Sequence, residues 1–239
     1  MSETEPTPAD QTAPVTRRSI VNPVTVVILV VAIILASAGT ALAFRSDSPD
    51  SGSVETGFLR DMVTHHNQAV EMALIVYRRT ADPDLVTLSY DLATAQQAQV
   101  GMMMATLDLW DLSQTGTEPA MSWMGHPTTG PMPGMATGEQ IGQLQTLPPA
   151  QADVLFLQLM IVHHRAGLDM SNGLLDRSGN DETRRFAETF SRTQGVEIDN
   201  MNAMLVARGQ APVDGSTVPG MSGMDMTTDA TPTHPDHGG

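Results

Sequence analysis

Two pairs of adjacent histidines, His65-His66 and His163-His164, are the residues best equipped for chemistry in this chain. Each pair is framed by methionines at matching places, Met62 and Met72 around the first and Met160 and Met170 around the second. The two copies lie 98 residues apart, and Phe58/Phe156 and Glu71/Asp169 keep the same offset. A later block repeats with it: Gln96, Gln99, Val100 and Met103 against Gln194, Glu197, Ile198 and Met201. An ungapped offset sustained over roughly fifty residues signals duplication of a whole structural unit. Imidazole with thioether suits Cu(I), and imidazole with carboxylate suits Cu(II) or zinc. The chain has no cysteine, so a soft-metal site must be built from Met and His. The candidate ligands are therefore Met62, His65, His66, Met72, Met103, Met160, His163, His164, Met170 and Met201. Gln99 and Glu197 are placed to ligate, or to hold a ring nitrogen that does not.

A second group of candidates lies outside the repeat helices: Met121, Met124 and His126, and further on Met221, Met224 and Met226. Methionine in a Gly/Pro/Ser segment has no core to fill, so these read as capture points for a soft metal. The plain alternative for the helical residues is packing, since Met fills core gaps well and an inward histidine is often a hydrogen-bonded core residue. Glu71 and Asp169 fall at the polar edge and read as solvated.

Composition narrows the classes. The net charge is −15 and every one of the 12 basic residues is arginine. An acidic chain of this kind favours cations over nucleic acid or anionic surfaces. No glycine-rich phosphate loop or nucleophile elbow occurs. A di-iron carboxylate bundle calls for Glu-x-x-His on two helices, and the sequence has none.

The positioning elements are helices. Residues 1–19 read as a polar, disordered cytoplasmic arm. Within 20–44, the stretch Val24 to Ala43 is uncharged and long enough to cross a bilayer. Arg17-Arg18 before it places the N-terminus inside. Ala41-Leu42-Ala43 offers a competing signal-peptide cleavage site, and either choice exports the remainder. Residues 45–53 read as a linker. Apolar residues then recur at helical spacing over 54–81. Asp82-Pro83 ends that helix and caps a second running to about Leu112. A Met-rich loop spans 113–148, with a short helix at 138–146. Pro148-Pro149 opens a third long helix ending near Ser178-Gly179. Asn180 or Asp181 caps a fourth, which Gly209 terminates, and 209–239 is a disordered tail carrying His234 and His237. The fold class is all-α: two duplicated αα-hairpins (54–112 and 149–208) forming a four-helix bundle behind one transmembrane helix.

The pattern Met-x-x-His-His-x-x-Ala-x-x-Met, followed by Gln-x-x-Glu/Gln-Ile/Val-x-x-Met, resembles the family called domain of unknown function 305. Here Met62, His65, His66, Ala69 and Met72, then Gln96, Gln99, Val100 and Met103, carry it. The second copy is Met160, His163, His164 and Met170, then Gln194, Glu197, Ile198 and Met201. Gln99 replaces an acid common at its position, and Gly167 replaces the counterpart of Ala69. The resemblance covers about 55–208. It implies a ferritin-like four-helix domain in an exported protein, some relatives being periplasmic copper-binding proteins.

The sequence thus leads to a membrane-anchored, extracytoplasmic copper-binding protein, secreted if cleaved after Ala43, acting alone, as a homo-oligomer or with a metal-transfer partner. A ferritin-like oxidase of Cu(I) or Fe(II), and a structural envelope protein with core histidines, are the alternatives.

Overall fold

The computed structural model describes residues 31–34 and 48–214. The chain divides into two units, residues 1–48 and 49–239. Of the expected membrane segment only 31–34 are described, and they are helical. Among the described residues no helix is long and apolar enough to cross a membrane. The arm, the rest of the apolar run and the tail from 215 onward lie outside the described residues.

The second unit is helical, and among the described residues its only β pairing is an isolated bridge between Ala120 and Thr128. Helix α1 spans Val54–Tyr77, α2 Pro83–Leu109, α3 Gly138–Thr146, α4 Pro149–Leu175 and α5 Asp181–Ala207. Local signals set most of these ends. Ser53 caps α1 by accepting from the Thr56 N–H, and Asp82 caps α2 from the Asp84 N–H with Pro83 behind it. Thr137 and Gln140 form a reciprocal capping box on α3. Asn180 caps α5 by accepting from the Glu182 and Thr183 N–H groups.

Three helices end earlier than the sequence suggests, α4 at Leu175 rather than near Ser178. Helix α1 stops at Tyr77 rather than 81. There Thr80 turns back, donating to the Asp153 carboxylate at 3.0 Å and accepting from the Asp82 N–H at 3.1 Å. Helix α2 stops at Leu109. Asp111 takes the left-handed conformation, and the Leu112 N–H reaches the Leu107 carbonyl. Helix α5 ends in the same motif at the duplicated positions, with Gly209 left-handed and Gln210 bonded to the Leu205 carbonyl.

Helix α1 pairs with α2 and α4 with α5, and the two hairpins meet along α1 and α4. Two apolar clusters fill the interior. One joins Phe58, Leu59, Met62, Met103, Leu107, Met170, Leu174 and Phe190. The other joins Met72, Val76, Leu85, Leu92, Phe156, Leu157, Met160, Met201 and Leu205. The first takes the start of α1 and the end of α4, and the second takes the end of α1 and the start of α4. The two central helices therefore run antiparallel, and the middle of each lies between the clusters. The histidine pairs occupy those middles.

Candidate functional site

All four histidines of the pairs are buried, at 0–1% exposure. Their place follows from helical geometry: Met62, His65, His66, Ala69, Met72, Ala73 and Val76 form one broad inward face of α1, and all are buried. Helix α4 repeats the arrangement with Met160, His163, His164 and Met170. Across the hairpin interface the His65 and His163 rings stack, with centroids 3.6 Å apart and planes 28° apart. His163 Nε2 also lies 3.0 Å from the His65 backbone oxygen. The outer members each meet the second helix of their own hairpin. His66 Nε2 is 2.7 Å from Gln99 Oε1, and His164 Nε2 is 2.8 Å from Glu197 Oε2. The contacts fall at duplicated positions, so the site has an approximate two-fold design.

Burial holds His65, His66 and His163 neutral. Burial lowers His65 to about 3, helped by the neighbouring His66 and His164 and opposed by the Pro133 carbonyl. Burial lowers His66 to about 4, against the opposing pull of Gln99. Burial and the three other rings keep His163 well below its usual value of 6.5. Neutral imidazole is the form that ligates a metal.

Several polar atoms in this layer have no partner: both ring nitrogens of His65, Nδ1 of His66 and of His164, and Oε1 of Gln96 and Gln194. The backbone carbonyls of Pro133 and Met62 approach His65 and His66 and favour a proton there, yet neither meets hydrogen-bond geometry. An orphaned buried polar atom costs about 1–3 kcal/mol. A neutral imidazole has one lone pair, so the unpartnered nitrogens of His65, His66 and His164 offer three lone pairs that a cation could use. No preorganised shell accompanies them: among the described residues no three His, Asp or Glu side chains form a group that could hold a metal ion. Stacked rings point their nitrogens edgewise, so ligation at His65 and His163 together requires one ring to turn.

The helical methionines lie fully in the core. Met62, Met103 and Met170 belong to one cluster, and Met72, Met160 and Met201 to the other. Each cluster therefore holds two thioethers from one hairpin and one from the other, flanking the imidazole layer. Gln99 and Glu197 are partly buried beside it, and Glu71 and Asp169 are exposed.

The loop methionines differ from expectation. Met121 and Met132 are 4% exposed, and Met124 and Met135 pack against the same cluster as Met62. The 113–148 connection supplies core to both clusters, its methionines to one and Ala136 and Leu144 to the other, where the sequence reading gave those methionines nothing to fill. It is fastened like a strap. Asp61 accepts from the Met121 N–H at 2.7 Å and from the Trp123 ring N–H at 2.9 Å. Gln68 donates to the Ala136 carbonyl and accepts from its N–H, at 2.9 and 2.7 Å. A Cβ on Gly57 would strike Trp123 at 2.7 Å, and one on Gly173 would strike Met124 at 2.6 Å. Gly134, with φ +75°, has room for no side chain against Ala166 and the Val162 carbonyl. His126 is exposed, while Met221, Met224, Met226, His234 and His237 lie outside the described residues.

Asp61 and Gln68 were not singled out as site residues from the sequence. The signal was present: both break the repeat, standing opposite Leu159 and Ala166.

Residues 55–205 match the family model for a domain of unknown function, DUF305. The chain belongs to this family. A DUF305 protein from Streptomyces coelicolor assigned as secreted is similar at 42% identity and TM-score 0.65, over 69% of this chain and 99% of that one. A DUF305 fragment from Deinococcus radiodurans is similar at 30% identity and TM-score 0.57, over 66% and 99%. CopM in its Cu(I)-bound form shows 20% identity and TM-score 0.49, over 64% and 96%. At that distance the likeness carries nothing about the ligand of this DUF305 chain. No curated protein matches it.

Proposed function

We propose that this DUF305 protein is an extracytoplasmic metal-binding protein, with a ferritin-like four-helix domain that holds copper in its central layer. The observation that carries the reading is the meeting of four buried imidazoles from duplicated helices with unpartnered nitrogens among them. His66 and His164, each backed by a polar side chain on the neighbouring helix, present Nδ1. His65 and His163 supply further nitrogens when the stack opens, and Met62, Met72, Met103, Met160, Met170 and Met201 supply thioethers on either side. A bound copper ion would recover the free energy that the orphaned nitrogens forgo. Imidazole and thioether without thiolate match Cu(I), and Glu197 adds a hard donor for Cu(II). The S. coelicolor relative's assignment as secreted supports a site outside the cytoplasm, and the apolar run at 24–43 would provide export or anchoring.

One observation favours a second reading. The His65–His163 stack, with no metal-holding group of three His, Asp or Glu among the described residues, is also what a purely structural polar layer would look like.

Thermal unfolding of the full-length protein with Cu(I), Cu(II), Zn(II) or Fe(II) separates the two. A ligand specific to the folded state adds about 2.7 kcal/mol at a hundredfold excess over its Kd. The expected result is a clear rise in Tm with copper that is lost in His65/His66/His163/His164→Ala. A rise that survives in that variant would move the site to the methionines, and no rise with any metal would favour the structural layer.

A further inference from the structure

The two outer histidines occupy equivalent places but face unlike partners. His66 meets a neutral amide and His164 a carboxylate, at nearly equal distances of 2.7 and 2.8 Å. An amide side chain can donate or accept, whereas an ionised carboxylate only accepts. Glu197 therefore draws the hydrogen of His164 to Nε2 and leaves the Nδ1 lone pair, which is buried and unpartnered. The carboxylate side chain is 21% exposed while His164 is fully buried, so the negative charge stays solvated as its field acts through the ring. A carboxylate behind an imidazole raises the basicity of the ligating nitrogen and fixes the ring's orientation. Gln99 supplies orientation without the charge.

We infer that Glu197 is a positioning residue that makes the His163-His164 half the first and tighter seat for the soft cation, so that the duplicated layer fills in order. The inference rests on the copper reading above and adds to it an unequal pair of half-sites.

The experiment pairs Glu197→Gln with Gln99→Glu in the full-length protein. Both exchanges copy what the other half already contains, so both leave the fold intact. In metal-free protein, the Nε2 proton of His164 should resonate downfield of that of His66, as a charge-assisted hydrogen bond requires. Glu197→Gln should bring it to the His66 position, and Gln99→Glu should move His66 the other way. Under anaerobic conditions Glu197→Gln should weaken the first Cu(I) equivalent by about 10–100-fold, the usual range for removing such a partner. Gln99→Glu should tighten the second.

A His164 Nε2 without a proton would overturn the inference. So would a first equivalent equally tight in wild type and Glu197→Gln. A wild type that binds no Cu(I) would instead defeat the copper reading beneath it.

Discussion

The first hairpin and the second are copies, and the positions at which they differ are informative. They agree in Phe58/Phe156, Met62/Met160, Met103/Met201 and both histidine pairs, all buried. They agree in their helix-ending motifs at Asp111 and Gly209. They also agree in a pair of clasps. Thr80, after α1, donates to Asp153 at the start of α4, and Ser178, after α4, donates to Glu55 at the start of α1. Each hydroxyl also accepts from the N–H of the next helix's cap, Asp82 or Asn180. They differ at Gly57/Leu155, Asp61/Leu159, Gln68/Ala166 and Ile75/Gly173. Every one of these pairs has a member that touches the 113–148 strap. The strap exists once, so the residues that receive it cannot be duplicated. These four departures from the repeat lie in the footprint of the unrepeated element.

Two further differences, Ala69/Gly167 and Gln99/Glu197, lie in the histidine layer itself, and three perturbations test how evenly the halves share it. The largest effect is expected from pH. His65 and His66 stay neutral in the fold down to about 3 and about 4, while in the unfolded chain they protonate below about 6.5. The unfolded state then binds more protons, so stability falls as pH drops from 6.5 toward 4. Between pH 7 and pH 5 each ring should cost roughly 2 kcal/mol, and His163 acts in the same direction. Asp61 and Asp153, whose values burial raises above 3.8, work oppositely, but nearer the carboxylate range. Urea unfolding at pH 7 and pH 5 measures the sum. Equal stabilities would mean that the layer is not neutral and dry.

The next effect concerns Gly167. A Cβ there would lie 2.2 Å from Gln194 Oε1, so the buried Gln194 side chain occupies the space that Ala69 fills in the first half. Gly167→Ala should destabilise by about 1–3 kcal/mol through overpacking, despite the helix-propensity gain of about 1 kcal/mol. Adding Gln194→Ala should reverse the loss. Ala69→Gly should cost about 1 kcal/mol. Chemical denaturation that ranks Gly167→Ala as stabilising would show that Gln194 moves freely.

The smallest effect separates the clasps. Thr80→Val and Ser178→Ala should each lose about 1 kcal/mol. Thr80→Val should cost more, because Asp153 is 7% exposed and its Oδ1 already lacks a partner. Equal losses would mean that the two ends carry the same load.

Much of this was legible in the sequence for local reasons. Asp82-Pro83, Asn180 and Gly209 mark helix ends because caps and left-handed turns depend on a few neighbouring residues. Periodicity placed all four histidines on inward faces. The stack of His65 on His163 was not legible, since it depends on how two helices 98 residues apart settle against each other. The loop methionines were misread because composition alone made their segment look coreless. Trp123 within it, and Gly57 and Gly173 on the helices opposite, were the signs of close packing.

The contact between His163 Nε2 and the His65 carbonyl also bears on ancestry. A two-fold molecule would need the reverse contact too, from His65 to the carbonyl of His163, and both nitrogens of His65 are unpartnered. One ring can reach across the axis while the other gives way. Two identical hairpins associating as separate chains would face that choice with no means of recording it in sequence, because any residue placed in one would appear in both. Fusion into a single chain removes the constraint. It allows a glutamate to stand behind one histidine and a glutamine behind its twin, an inequality that no symmetric pair of separate hairpins can encode.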